Sequence, residues 1–217
     1  MGKEIRKLNR FTSLPILIDL LERKKIILIE PTNWDDRNDT LIIEAYKKKA
    51  SVKKLFALCF THENETIHHW KTFADGNSGC CIQFNGEKLI EILDSIAEIS
   101  HGIVQYKNIT EIDISRTEIK DIPFLKREPY KLESEYRVIW EGNGDMPVFE
   151  IPITLDIIEK ITFGQQMPEP VFQSIKKMIE TTYPEINSKI NRSTVYENEK
   201  WIEKFEKIES TKAQQYI

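Results

Sequence analysis

The apolar segment LFALCFT, from Leu55 to Thr61, constrains the fold more than any other stretch of this 217-residue chain. A continuous apolar run of this length is typical of a strand that is buried on both faces. Around it, short strands rich in β-branched residues alternate irregularly with helices. This order favours an α+β fold over a doubly wound parallel sheet.

Periodicity and the residues that start and stop each segment predict the remaining elements. Ser13 and Pro15 begin a helix over LPILIDLLERKK, and Pro184 stops a helix over EPVFQSIKKMIETTYP. The other predicted helices are LIIEAYKKKASVKK, ETIHHWKTFA and GEKLIEILDSIAEI. The other predicted strands are IILIE, CCIQFN, GIVQYKNI, VFEIPI and IEKITFG, and PTNWDDRNDT is a predicted polar loop.

Length and charge limit the general class of protein. We expect residues 1–217 to form a single domain, because a chain of this length with 40% hydrophobic residues can bury one sizeable core. The net charge of −4 provides no overall positive field for nucleic acid, although a local basic groove stays open. Within 194–217, the apolar residues at helical spacing predict a C-terminal helix that docks on the core. These residues are Trp201, Ile202, Phe205 and Ile208.

The cysteines and the N-terminus indicate a cytoplasmic protein. The sequence has three cysteines, Cys59, Cys80 and Cys81, of which two are adjacent. An odd number with this spacing does not suggest a disulfide framework, and it favours a reducing compartment. The first residues contain no apolar run of signal-peptide length, and nowhere do eighteen uncharged apolar residues follow one another. We therefore expect no association with a membrane.

The segment KLESEYRVIW, Lys131 to Trp140, is predicted to be an amphipathic strand. At a period of two, Glu133, Glu135 and Arg137 share one face, and the opposite face is mostly apolar. A half-solvated strand with paired surface charges accounts for this pattern without any function. The other interpretation is a functional site, and it depends on the rest of the chain.

The common catalytic and nucleotide-binding motifs are absent from the sequence. It contains no P-loop, GxGxxG, HExxH or GxSxG. Its one cluster of potential metal ligands is unsuitable, since adjacent histidines on a helix and adjacent cysteines on a strand do not converge on one ion. This cluster comprises His62, His68, His69, Cys80 and Cys81. We therefore expect no metal site there.

An ordered set of short motifs resembles the bacterial and phage domain-of-unknown-function family 2971. The motifs are PTNWDDRND, LCFTHENETIHHWKTFADGNSGCCIQFN, VQY, FLKREPYKLESEYRVI and IEKITFG. Together they extend from about Arg10 to Gly164. The positions that fall on the family pattern are Trp34, Asp36, Asp39, Cys59, Phe60, Trp70, Phe73, Ala74, Gly79, Phe84, Tyr130, Glu133, Glu135, Tyr136 and Arg137. The chain departs from the pattern at Asp35, Arg37 and Asn38 of the first loop, at Phe73, where the family has Tyr, and at Tyr130, where it has Trp.

A looser resemblance, to ADP-ribosyltransferases, implies an activity. Arg10 on a first strand is followed by a helix, a strand and a polar loop, and a Glu-x-Glu strand comes late in the chain. In one branch of these enzymes the Arg holds a phosphate of NAD and aromatic residues enclose the nicotinamide. A late Glu orients the ribose hydroxyl and polarises the acceptor. A carboxylate suits this chemistry because the nicotinamide–ribose bond breaks through an oxocarbenium-like cation.

The resemblance also implies roles for individual residues. Glu135 is the expected catalytic carboxylate, Glu133 is expected to touch the acceptor or the ribose, and Arg137 is expected to pair with a carboxylate or phosphate. The expected NAD-binding residues are Arg10, Ser13, Trp34, Asp36, Trp70 and Phe73. The implied protein is a toxin or anti-phage defence effector with an RNA or DNA acceptor and an antitoxin or defence-system partner.

Two other function classes remain open. Asp36, Asp39, Glu133 and Glu135 are also suitable ligands for Mg²⁺ in a nucleic-acid enzyme. The second alternative is a non-catalytic binding module of a defence or toxin–antitoxin system. At the level of single residues, Trp70 and Phe73 also fit a packed core, Phe73 better than Trp70 because tryptophan is seldom fully buried, and the two aspartates fit helix caps.

The sequence finally predicts how these parts are arranged. We expect an α+β domain with a split, strongly curved, mainly antiparallel sheet, flanking helices, and Lys131–Arg137 in the cleft. The scattered candidate residues should converge there, because buried charges need partners. They are Arg10, Trp34, Asp36, Trp70, Glu133, Glu135 and Arg137.

Overall fold

The computed structural model of the protein describes residues 4–34, 36–74, 76–113 and 115–205. The strands are β1 (Lys7–Ser13), β2 (Lys25–Leu28), β3 (Lys54–Thr61), β4 (Gly79–Asn85), β5 (Ile99–Ile103), β6 (Gln105–Lys107), β7 (Leu125–Arg127), β8 (Glu135–Gly142), β9 (Phe149–Pro152), β10 (Ile158–Phe163) and β11 (Ile190–Arg192). The α-helices are α1 (Leu14–Arg23), α2 (Arg37–Ala50), α3 (Ile67–Phe73), α4 (Gly86–Asp94) and α5 (Glu169–Thr182). Short 3-10 helices include Ile119–Phe124 and Glu128–Glu133.

A seven-stranded, mostly antiparallel sheet organises the molecule. Its order is β11-β10-β4-β1-β3-β8-β5, and only the edge pair β10–β11 is parallel among the described strands of this sheet. Two small sheets, β2–β9 and β6–β7, flank it. The predicted α+β architecture with a mainly antiparallel sheet and flanking helices is confirmed.

The sheet is split between β1 and β3. β1 pairs with β4 along its whole length, from Lys7↔Asn85 to Ser13↔Gly79. Within the described chain, β1 and β3 share only the register pair Asn9↔Thr61. Over the rest of their described length the two strands are not paired with each other, which leaves an opening in the sheet. The strong curvature predicted for the sheet stays a prediction.

The apolar run from Leu55 to Thr61 forms a central strand of the sheet. β3 lies between β1 and β8, and its residues Leu55, Phe56 and Ala57 are buried. Phe56 belongs to the main core on one side of the sheet, whereas Leu55 packs with Ile43 and Tyr46 of α2 on the other. Because other elements cover both faces of the sheet here, the side chains on both faces of β3 between its ends are apolar.

The strand predicted over Lys131–Trp140 begins later than expected. Residues up to Glu133 form the 3-10 helix, Ser134 is left-handed with φ 46° and ψ 50°, and β8 starts at Glu135. β8 is also buried on both faces as far as Trp140, so its charged face does not meet solvent. The predicted strand GIVQYKNI is likewise two short strands, interrupted at Val104.

The C-terminal segment differs from the predicted docking helix. Residues 199–205 are helical, but Trp201, Ile202 and Phe205 are 65%, 46% and 54% exposed. The described part of this helix therefore does not bury its apolar face, because spacing shows that a face is apolar and not what covers it. Ile208 lies outside the described residues.

Two further expectations concern the cysteines and the membrane. All three cysteines are free thiols, and Cys80 and Cys81 are buried. Among the helices that the structure describes, none combines the length and apolar character needed to cross a bilayer.

Gly86 allows α4 to pack against the chain just before β1. A Cβ at this position would lie 2.1 Å from the Ile5 carbonyl oxygen and 2.8 Å from the Arg6 carbonyl carbon. Since both atoms belong to the backbone, they cannot move aside cheaply. We expect Gly86→Ala to lower the free energy of unfolding by about 1–3 kcal/mol in urea titrations.

Gly102→Ala is the matched control for this substitution. Its Cβ would meet only the Phe124 ring among the described residues, at 3.9 Å, which is ordinary van der Waals contact. We expect a change within about 1 kcal/mol. If both variants lost the same free energy of unfolding, the backbone contact at Gly86 would not be what requires a glycine there.

Candidate functional site

A cavity of about 400 Å³ occupies the opening in the sheet. β1 contributes residues 9–12 to its wall and β3 contributes residues 57–61. The remaining wall comes from the loop before α2, the C-terminal end of α3, and the segment that leads into β8. The cavity therefore lies where β1 and β3 are neighbours in the sheet but are not paired with each other.

Arg137 lies behind this cavity and is fully buried. Its Nη1 and Nη2 donate to the two carboxylate oxygens of Asp39 at 3.0 and 2.6 Å. Its Nε and Nη2 donate to Glu135 at 2.6 and 3.1 Å, and Nη1 also donates to the Pro123 carbonyl at 2.7 Å. All five N–H groups of the guanidinium thus have acceptors, which is the condition for burying this charge.

Lys126 on β7 adds a second cation to the cluster. Its ammonium lies 2.6 Å from Glu133, 3.2 Å from Glu135 and 3.6 Å from Asp39. Burial lowers the pKa of Lys126, but the surrounding carboxylates raise it further, so the ammonium stays charged. Two cations and three carboxylates form this acidic cluster, whose net charge is about −1 when all are ionised.

The two glutamates of the cluster have pKa values shifted in opposite directions. Burial raises the pKa of Glu135, but the charge and hydrogen bonds of Arg137, together with Lys126, outweigh it and lower the pKa to about 2. For Glu133 burial dominates, and its pKa is raised in spite of Lys126. Neighbouring carboxylates with separated pKa values suit different roles, one as a fixed charge and the other as a proton acceptor.

Arg10 faces the same cavity from β1, on the other side of the split. Burial lowers its pKa to about 10, so the guanidinium is still protonated at neutral pH. None of the described carboxylates lies within ion-pair distance of it. The cavity therefore has an uncompensated positive charge on one side and an acidic cluster on the other.

Aromatic side chains line the space between the two charged groups. Phe73 is 40% exposed at the end of α3, and Trp34 and Tyr130 are half-buried. The Trp34 ring lies 5.0 Å from the Arg137 guanidinium carbon, and the Tyr130 ring lies 4.9 Å from the Lys126 ammonium. These contacts fix the orientation of both rings and leave aromatic surface facing the cavity.

Most of the residues singled out from the sequence meet in this cavity. Those that line its wall are Arg10, Trp34, Asp36, Phe73, Glu133 and Glu135. Asp36 also caps α2 by accepting from the Asn38 backbone N–H at 3.0 Å. Their expected roles in binding and catalysis stay predictions.

Three of the predicted site residues lie elsewhere. Arg137 pairs with carboxylates, as one of its two expected roles requires, but it is buried too deeply to meet a phosphate. Trp70 is 7% exposed and donates from Nε1 to Glu65 at 2.7 Å, so it is a core residue. Ser13 precedes α1 without a side-chain capping bond and is not part of the cavity wall.

Sequence reasoning missed Lys126 entirely. The three-residue strand β7 is too short to show periodicity, and Lys126 lies inside the motif FLKREPYKLESEYRVI without being one of its matched positions. A signal was nevertheless available in the charges. Three clustered carboxylates beside one arginine require a second cation if they are to be buried together.

The arrangement is unfavourable for the magnesium alternative. Among the described residues, no group of three or more His, Cys, Asp or Glu side chains is placed to hold a metal ion. Asp39, Glu133 and Glu135 are instead bound to the cations of Lys126 and Arg137. A metal would have to displace these contacts.

Comparison with known proteins gives two similar solved structures. Neither a family model nor a curated protein matches the chain, so the resemblance to family 2971 stays a prediction. Thermus sp. 2.9 DarT in complex with NAD⁺ is 10% identical, with a TM-score of 0.47, over 89% of this chain and 98% of that one. The same protein in complex with ADP-ribosylated ssDNA is 10% identical, with a TM-score of 0.46, over 90% and 97%. Similarity at this level assigns no activity to the chain.

The buried pair between Asp39 and Arg137 should contribute strongly to stability. Asp39→Asn keeps the size of the side chain but leaves the guanidinium short of one charged partner. We expect the free energy of unfolding in urea to fall by about 3 kcal/mol. Glu118→Gln is the control, because Glu118 pairs with Lys120 at the surface and should change stability little. Equal stability of Asp39→Asn and the wild type would contradict the importance of this pair.

Proposed function

We propose that this protein is an ADP-ribosyltransferase that uses NAD as co-substrate and transfers ADP-ribose to a macromolecule. The observation that carries the proposal is the charge separation across the cavity, with the acidic cluster on one side and Arg10 on the other. Arg10 has no carboxylate partner in the described part of the chain. NAD has the matching distribution, because its pyrophosphate is negative and its nicotinamide ring is positive. Arg10 would hold a phosphate through charge-assisted hydrogen bonds.

The acidic cluster would stabilise the transition state in which the nicotinamide–ribose bond breaks. As the bond between nicotinamide nitrogen and the ribose C1′ lengthens, positive charge develops on the ribose and the electron pair leaves with nicotinamide. Glu135 remains ionised over the whole physiological range, and Arg137 fixes its position. It would therefore stabilise the cation electrostatically, without having to reorganise during the reaction.

Glu133 would accept the proton released by the acceptor. Its Oε2 bonds to Lys126 at 2.6 Å, and its Oε1 has no hydrogen-bond partner among the described residues. Because burial raises its pKa, Glu133 is a better base than an ordinary surface glutamate. The acceptor oxygen or nitrogen would form its bond to C1′ while its proton moves to this carboxylate. Phe73, Trp34 and Tyr130 would stack on the planar rings of the co-substrate.

The expected biological role extends this proposal. A toxin or anti-phage defence effector that modifies RNA or DNA fits a transferase with an open cavity, and an antitoxin would be its partner. The cytoplasmic location expected from the cysteines belongs to the same proposal.

A paired experiment on Arg10 and Glu135 tests the assignment. Arg10→Ala should weaken NAD binding in calorimetric titrations by about tenfold or more, since a phosphate loses its charged donors. Glu135→Gln should still bind NAD but release nicotinamide on the order of 10²-fold more slowly, because a preorganised charge is lost. Thermal melting of each variant shows whether it is folded.

Arg6→Ala is the matched control for the binding arm. Arg6 precedes the same strand, lies at the surface and pairs with Glu4, so its loss should leave NAD affinity unchanged. Wild-type protein that neither binds NAD nor releases nicotinamide with protein, RNA or DNA acceptors would refute the proposed function.

A further inference from the structure

The turn between the two cavity glutamates has an unusual backbone conformation. In an extended strand, Glu133 and Glu135 would lie about 7 Å apart along one face. Ser134 instead adopts the left-handed conformation, with φ 46°, which is uncommon for a residue other than glycine. As a result both carboxylates reach one ammonium, that of Lys126, at 2.6 and 3.2 Å.

Hydrogen bonds from distant parts of the chain hold this turn. The His62 backbone N–H donates to the Ser134 carbonyl at 3.2 Å. The Glu135 N–H donates to the Tyr106 hydroxyl at 2.9 Å. The third contact joins His69 Nε2 and the Glu133 carbonyl oxygen, at 3.2 Å. Strained conformations persist when the surroundings determine them in this way.

The tautomer of His69 follows from its partners. A carbonyl oxygen can only accept, so Nε2 must carry the hydrogen that Glu133 receives. His69 Nδ1 then has a lone pair and accepts from the Thr66 hydroxyl at 3.1 Å, while that hydroxyl oxygen accepts from the His69 backbone N–H at 3.2 Å. Burial lowers the pKa of His69, which keeps the ring neutral and this tautomer intact at neutral pH.

His69 is close to the cavity without being part of its wall. It is fully buried and stacks on Phe11, with ring centroids 5.1 Å apart, and Phe11 does line the cavity. A ligand in the cavity would therefore touch Phe11 and Glu133 but not His69. Any influence of His69 on the reaction must act through the residues that it holds.

We propose that His69 is a positioning residue that fixes the Glu133–Glu135 turn, so that both carboxylates face the reacting centre. This inference rests on the proposed transferase function. His69 connects α3 to the carbonyl of Glu133, and loss of this bond releases the N-terminal side of the Ser134 turn. The carboxylate of Glu133 then leaves its place beside Lys126, while the Arg10 side of the cavity is unaffected.

His69→Phe and His69→Gln test the proposal as a matched pair. Phenylalanine keeps the ring stacked on Phe11 but has no donor for Glu133, whereas the glutamine amide places an N–H near the position of Nε2. We expect His69→Phe to lower kcat for nicotinamide release at least tenfold with the KM for NAD within threefold of wild type. His69→Gln should recover a large part of kcat. Equal loss in both variants, or a loss confined to KM, would overturn the proposal.

Amide hydrogen exchange measures the turn without requiring activity. In His69→Phe the amides of Glu135 and His62 should exchange at least tenfold faster, while Val138 in the middle of β8 keeps its wild-type rate. Unchanged exchange at the turn would overturn the proposal, as would equal acceleration at Val138, which indicates general destabilisation. If wild-type protein releases no nicotinamide, the transferase function fails, and this exchange result alone decides whether His69 fixes the turn.

Discussion

The guanidinium of Arg137 connects the segments that build the acidic side of the cavity. Its five N–H groups donate to Asp39 of α2, to Glu135 at the start of β8 and to the carbonyl of Pro123. Removing such a charge from water costs several kcal/mol, and only this complete set of acceptors offsets it. An arginine is required because a lysine has three donors and no planar fork. This one side chain thus joins α2 and the segment before β7 to the sheet, in addition to the apolar packing of α2 on β3.

The same network determines the electrostatics of the cavity. Lys126 and Arg137 compensate most of the carboxylate charge, which is why three acids can share a buried site, yet the balance remains negative. Arg10, across the split, has no carboxylate partner among the described residues. Fixed charges of opposite sign in a partly desolvated space act more strongly on a ligand than they would in water. The two sides of the cavity therefore carry opposite charge in the folded protein without any ligand.

From periodicity and the order of its segments, the sequence predicted the α+β class with a mainly antiparallel sheet and flanking helices. Through the charged face of one strand and the resemblance to ADP-ribosyltransferases, it also singled out nine site residues, of which six line the cavity. It failed where long-range contacts decide the outcome. The strand predicted from Lys131 begins only after Ser134, whose left-handed conformation depends on hydrogen bonds to residues that are remote in sequence. Trp70 and Phe73 are three residues apart on one helix, and only tertiary packing puts the first in the core and the second at the cavity. Lys126 was not predicted as a site residue because β7, with three residues, is too short to show a periodic pattern.

A crystal structure of the protein with bound NAD would show whether the cavity between β1 and β3 binds NAD in the proposed orientation. The account predicts that the pyrophosphate contacts the Arg10 guanidinium and that the nicotinamide ribose lies beside Glu133 and Glu135, with the ion pairs of Arg137 unchanged. NAD bound in the opposite direction, with its phosphates at Lys126, would contradict it. So would NAD bound outside the split between β1 and β3.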